Sequence, residues 1–234
     1  MTEQKAGVPA KSASTMRWWR RKKDVAITGW NAVMYDRQGR RYRQEEFGEL
    51  ARQLAQRITS EQRILEIASG SGYLAIELAR LGRTRLVGSD ISADQVAIAT
   101  ENARRASTPV EFVVAGVQKL PFADSSFDFA LCFAAFKNFR DPAGALKEMK
   151  RVLAPGGSVI IGDMCSDIPD GAIEDYLDGQ RIRGLNRIIL GRTFRFLRKG
   201  AYSHAELQAL IDGAGYSSYR MEEGGIGFSL TLTK

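Results

Sequence analysis

Glu66-Ile67-Ala68-Ser69-Gly70-Ser71-Gly72, with Asp90 further on, is the stretch of this sequence best suited to chemistry. Glycines between a strand and a helix let the backbone approach a ligand closely, and a helix N-terminus favours negative charge. A carboxylate ending the following strand can accept both hydroxyls of a ribose. Read literally, Gly70-Ser71-Gly72-Tyr73-Leu74-Ala75 is also G-x-G-x-x-A. That is a dinucleotide fingerprint, so an NAD-dependent oxidoreductase stands as a rival. Tyr73 after the loop and Glu66 before it favour a different cofactor, because neither is needed to bind a pyrophosphate. An acid there suits a ligand with a cationic end. The other groups open to proton chemistry are Lys137, beside Asn138, and His204, the one histidine of the chain.

These residues need elements to position them. RILEIA reads as a short apolar strand, YLAIELARL as a helix and RLVGSDI as the next strand. ADQVAIATENARRA is a helix with Ser92 as its N-cap. VEFVVA and FDFALCF are further strands, and Pro142 opens the helix AGALKEMKRVL. Gly156-Gly157 closes that unit before the strand SVIIGDM. Strand–helix alternation predicts an α/β fold, a parallel sheet covered by helices on both faces. Upstream, Phe47, Leu50, Leu54 and Ile58 recur at helical spacing and predict an amphipathic helix over about 44–58. Residues 171–200 are expected to form an arginine-rich helical insertion. Ser203 and Glu206 give a capping box for the helix AELQALIDGAG. Tyr216–Arg220 and Gly227–Thr233 read as a closing antiparallel pair. The expected division is a polar tail over 1–15 whose composition predicts disorder, a helical cap over 16–60, and one domain over 61–234.

The chain has 234 residues, a net charge of +7, two cysteines and no apolar run of the roughly 18–20 residues a membrane span requires. Cys132 and Cys165 are far apart, and with one histidine no metal site is expected. The N-terminus lacks the apolar core of a secretory signal, which points to the cytoplasm. Positive charge is concentrated: 13 basic against 6 acidic residues in 1–60, and seven against none in 180–200. Arg17-Trp18-Trp19-Arg20-Arg21-Lys22-Lys23 sets two indoles among cations, which suits peripheral contact with a membrane headgroup region.

LEIASGSGY, LVGSDIS, LPFADSSFDFALC and ALKEMKRVLAPGG, in this order, resemble the successive motifs of class I S-adenosylmethionine-dependent methyltransferases. The resemblance runs from about Tyr35 to the C-terminus and is closest to the branch containing the ubiquinone/menaquinone C-methyltransferases. It implies a Rossmann-like, seven-stranded, mostly parallel sheet in order 3-2-1-4-5-7-6 with a helical cap. The implied cofactor is S-adenosyl-L-methionine, leaving as S-adenosyl-L-homocysteine. By resemblance, Glu66, Ala68, Ser69, Gly70 and Gly72 line its methionine end, Tyr35 is a further cofactor-binding residue, Asp90 holds the ribose, and Ile91 lies against the adenine. Gly116, Val117 and Gln118 cover the adenine edge, while Phe133 and Ala134 close the pocket. Three positions depart from the family pattern. Ala68 replaces a glycine, Gly116 stands where an acid is common, and Phe136-Lys137-Asn138-Phe139 replaces a histidine pair. Lys137-Asn138 is similar to the basic-Asn pair of the quinone C-methyltransferases.

Methyl transfer asks little covalent help from the protein, because aligning donor and acceptor supplies much of the rate. Lys137 is read as a base, a partner for an anionic acceptor, or an exposed loop lysine, and His204 as a cap residue or a base. Trp30, Tyr35, Tyr42, Phe136, Lys137, Asn138, Arg183 and Arg187 are the candidates facing the acceptor. The expected acceptor is a small hydrophobic metabolite, anionic or neutral, methylated on carbon or oxygen and of phenolic, quinone-like or polyketide-like type. Phospholipid N-methylation and a cofactor-bound cyclisation without methyl transfer are the alternatives. A nucleic-acid partner is not expected, since CFAAFKN lacks the polar motif of nucleobase-amine enzymes.

Overall fold

The computed structural model describes residues 24–83 and 85–234, apart from the Tyr42 side chain. The expected tail and the Trp18-Trp19 cluster lie outside the described residues. Ile64, Leu65 and Ile67 make β1 (Ile64–Ile67) buried along its whole length, as a central parallel strand requires. It pairs in parallel with β2 (Leu86–Asp90) and β4 (Phe127–Phe133). β3 (Glu111–Val114) joins the β2 edge and β5 (Leu153–Met164) the β4 edge, both parallel. β6 (Ser218–Gly224) and β7 (Gly227–Thr233) form a hairpin, and β7 pairs antiparallel with β5. The sheet order is β3-β2-β1-β4-β5-β7-β6, which the family resemblance implied.

Side-chain alternation divides the core into two layers. Ile64, Leu131 and Ile160 pack with α2 (Gln44–Ala55) and α3 (Tyr73–Arg80) on one face. Leu65, Ile67, Cys132, Val159 and Ile161 pack on the other with α5 (Pro142–Val152), α6 (Ala172–Gly179) and α8 (His204–Ala214). α1 (Trp30–Tyr42) and α4 (Ala93–Arg105) lie near the glycine loop, and α7 (Gly184–Arg198) completes the insertion.

The local signals act as the sequence suggests. The Ser92 hydroxyl accepts from Gln95 N–H, Pro142 follows the Asp141 cap, and Ser203 and Glu206 close a reciprocal capping box. Boundaries differ at three places. α2 ends at Ala55, with Ile58 buried in the turn beyond it. β6 runs Ser218–Gly224, later than the expected Tyr216–Arg220. β5 starts at Leu153, before the glycine pair, and the register with β4 shifts between Phe127 and Phe129. Gly157 sits inside that irregularity, where a Cβ would lie 2.9 Å from the Asp128 carbonyl oxygen. Both cysteines are free and buried. No helix among the described residues is long and apolar enough to cross a membrane.

Candidate active site

The carboxyl ends of β1, β2 and β4 meet at the glycine loop, where open α/β sheets bind ligands. Ala68 turns the chain out of β1 at φ 56°, a left-handed conformation costing a non-glycine residue about 1–2 kcal/mol. Gly70 and Gly72 continue the turn at φ 51° and 78°. A Cβ on Gly70 would come 3.3 Å from the Tyr35 ring, so Tyr35 on α1 lies directly over the loop.

Asp90 holds the loop in place. One carboxylate oxygen accepts from Gly70 N–H at 2.9 Å and the other from Ser92 N–H at 2.8 Å. Burial raises the Asp90 pKa, against the pull of the Ser92, Gly70 and Ile91 amides. Glu66 lies deeper. Burial pushes its carboxyl up to about 8, against the Ala75 amide and with help from the Asp90 charge. Ala75 N–H donates to it at 3.1 Å, and no cation pairs with it among the described residues. The Ser69 hydroxyl, also buried, has no hydrogen-bond partner. An uncompensated acid and an orphaned hydroxyl are costly in a protein interior unless a ligand satisfies them. They fit a cofactor whose end carries both an ammonium and a carboxylate.

On the adenine side, Ile91 is exposed and approaches Gly116, whose added Cβ would lie 3.5 Å from the Ile91 Cδ1. The Val117 side chain is buried in the core, so only its backbone is left to face a ligand. Gln118 is exposed and donates to the Asp141 carbonyl at 3.1 Å. The Phe133 ring covers Gly162 on the neighbouring strand, and Ala134 is exposed at φ 56°.

Two acceptor-side expectations are corrected. Phe136 is 1% exposed, with its ring 5.6 Å from Tyr202 and 5.7 Å from Phe139, so it is core. Lys137 is neither an exposed loop lysine nor a free base. Its ammonium is buried, 2.8 Å from Asp163 and 2.9 Å from the Ala134 carbonyl. Asp163 also accepts from the Lys137 and Met164 amides. A buried ammonium requires a counter-ion, and Asp163 at the end of β5 supplies one. Asn138 is exposed in the same 3-10 turn, Phe136–Asn138.

His204 opens α8, between Asp167 at 2.9 Å and Glu223 at 3.1 Å. Cys165 lies beside them, and Cys165, Asp167 and His204 bring three groups of metal-binding type together, a juxtaposition that the cysteine spacing and the single histidine did not suggest. Cys165 Sγ is 3.6 Å from both imidazole nitrogens, and it donates to Asp167. Hydrogen bonds and the His204 contacts with Asp167 and Glu223 join the cluster. Of the remaining candidates, Trp30 is 71% exposed on α1, Arg183 is exposed ahead of α7, and Arg187 is bound to Asp178.

Sequence reasoning missed what holds α1 down. Asp36, buried on α1, accepts from Tyr73 Oη at 2.6 Å, Asn102 Nδ2 at 2.9 Å and Arg40 at 2.6 Å. Burial alone would raise its pKa, but these three donors hold it below the ordinary value. Asn102 donates as well to the Ser71 carbonyl, and Ser71 Oγ to Gln95. A cavity of about 70 Å³ remains between α1 and the loop, lined by Tyr35, Gln38, Arg43, Ser69, Ser71 and Tyr73 among others.

A sheet of this order, with a glycine loop between a buried glutamate and a strand-end aspartate, is the architecture of class I methyltransferases. Residues 65–161 match the methyltransferase domain family model. The ubiquinone/menaquinone biosynthesis C-methyltransferase UbiE of Bdellovibrio bacteriovorus is 30% identical over 176 residues, 65% of this chain and 75% of that protein. The demethylmenaquinone methyltransferase of Deinococcus radiodurans is 37% identical over 103 residues, 44% of this chain. The match spans 43% of that relative's length. A solved SAM-dependent methyltransferase from Aquifex aeolicus shares the fold, with a TM-score of 0.61 and 18% identity over 82% of this chain and 99% of that one. The chain belongs to the class I S-adenosylmethionine-dependent methyltransferases, in the branch of the ubiquinone/menaquinone C-methyltransferases.

Proposed function

We propose that this protein transfers a methyl group from S-adenosylmethionine to a ring carbon of a quinone-like, phenolic acceptor. The reading is carried by the relationship to the Bdellovibrio quinone C-methyltransferase, which covers three-quarters of that enzyme's length. The cofactor supplies an electrophilic methyl carbon on a sulfonium. Glu66 takes the cofactor's ammonium, Ser69 and the loop amides its carboxylate, Asp90 the ribose hydroxyls, and Ile91 with Gly116 the base. Tyr35 closes over the loop from α1. The protein's task is alignment and exclusion of water, worth several orders of magnitude in rate. Lys137 is committed to Asp163, so it is not the base. An electron-rich hydroquinone ring suits this site, because its oxygens make the carbon nucleophilic. The C–CH3 bond forms as the S–CH3 bond breaks, and the ring proton is lost to water as the ring regains aromaticity.

The test is incubation with methyl-labelled cofactor and a reduced demethylated naphthoquinone bearing a short isoprenoid tail. A C-methylated product by mass spectrometry is expected. Label appearing in phosphatidylethanolamine instead would move the acceptor to a lipid amine. Cofactor binding without label transfer to any component of a cell extract would favour cyclisation.

A further inference from the structure

α7 carries two apolar faces. Leu190 and Phe194 turn inward, with the Phe194 ring 5.4 Å from Tyr176 on α6. On the opposite side Leu185, Ile189, Arg192 and Phe196 follow at i, i+4, i+7 and i+11, one stripe along the helix, with Ile188 beside it. Leu185, Ile188, Ile189 and Phe196 are 71%, 55%, 52% and 59% exposed. An exposed stripe of large side chains marks an interaction surface, not a solvated face.

The charge around the stripe selects the partner. Arg187 and Arg195 are tied back to Asp178 and Glu174, and Arg198 donates to the Ser166 and Ile168 carbonyls. These bonds fasten the helix to the body. Arg181, Arg183, Arg192 and Lys199 make no ion pair among the described residues, and residues 180–200 contain no acid. A second copy of the same face would bring these cations against one another. An anionic bilayer satisfies both features, accepting the apolar stripe below the headgroups and the cations among the phosphates. We propose that the outer face of α7 docks this protein on an anionic lipid surface, an inference independent of which acceptor is methylated.

The full chain would be sedimented with phosphatidylcholine vesicles, with and without phosphatidylglycerol. Partitioning at least ten-fold stronger into the anionic vesicles is expected, weakening as salt is added. The Leu185→Gln/Ile189→Gln variant should lose about ten-fold in partitioning while its circular dichroism and cofactor affinity stay unchanged. Arg192→Glu should bind more weakly and respond less to salt. Equal binding to neutral vesicles would overturn the proposal, as would a double variant that partitions like the parent. A dimer in solution that the double variant abolishes would also overturn it, assigning the stripe to a second copy.

Discussion

Lys137 and Asp163 form a 2.8 Å ion pair with side chains 8% and 2% exposed, under the ends of β4 and β5. Removing one partner leaves the other charge buried and uncompensated, at a cost of about 3–5 kcal/mol. Lys137→Met should therefore lower stability by that amount in urea denaturation. Lys137→Met/Asp163→Asn, which removes both charges and keeps an acceptor oxygen for the neighbouring amides, should recover part of the loss. A single variant of parental stability with abolished turnover would instead restore Lys137 as a catalytic group.

Glu66 makes stability fall with rising pH. Its folded value is about 8 against 4.5 for an ordinary glutamate, so between those values the native state binds more protons than the unfolded state. Stability declines across that window and levels off above it. Glu66→Gln should be the more stable protein at pH 8, with the gap closing toward pH 5. Calorimetry should show proton release when the parent binds cofactor at pH 7, and none from the variant. An identical pH slope in both proteins would remove Glu66 from this role.

Asp36 links α1 to the loop and should matter to both. Asp36→Ala leaves the Tyr73 hydroxyl and the Asn102 amide without this acceptor, an expected loss of about 1–3 kcal/mol. Hydrogen exchange should quicken across Trp30–Tyr42, and cofactor affinity should drop. Because the donors depress the Asp36 pKa, its stabilisation is present above about pH 4 and is lost as pH falls through the folded value. Unchanged exchange along α1 would show that other contacts hold the helix.

Gly72 and Gly82 both have positive φ, 78° and 83°, in different surroundings. An added Cβ at Gly72 would lie 2.5 Å from the Phe112 ring, whereas Gly82 has open space. Gly82→Ala should cost about 1–2 kcal/mol, the backbone penalty alone. Gly72→Ala should cost clearly more in thermal unfolding and weaken cofactor binding.

Local chemistry was readable in advance. Ser92, Pro142 and the Ser203–Glu206 box act within a few residues of themselves, and the apolar strands announce their burial. The sheet order came through the ordered motifs, not from any single segment. The α1 network was hidden because its members lie far apart: Asp36 meets Tyr73 at a separation of 37 residues and Asn102 at 66. No spacing rule connects them. Lys137 does carry a usable signal. A lysine inside CFAAFKNF, an almost wholly apolar run, needs an acid nearby, and the acid ending β5 was the natural partner.

The two free cysteines lie inside the core, and burial pushes both thiols up, Cys165 to about 12 with Asp167 adding to the effect. Thiolate is the reactive form, so neither sulfur is available to a maleimide or an oxidant while the sheet is intact. Cys132 lies on a central strand and Cys165 follows the end of β5. The order in which they become labelled during mild denaturation would report whether the β5 end opens before the centre. The chain thus contains two internal clocks for its own unfolding, readable by mass spectrometry without an added probe site.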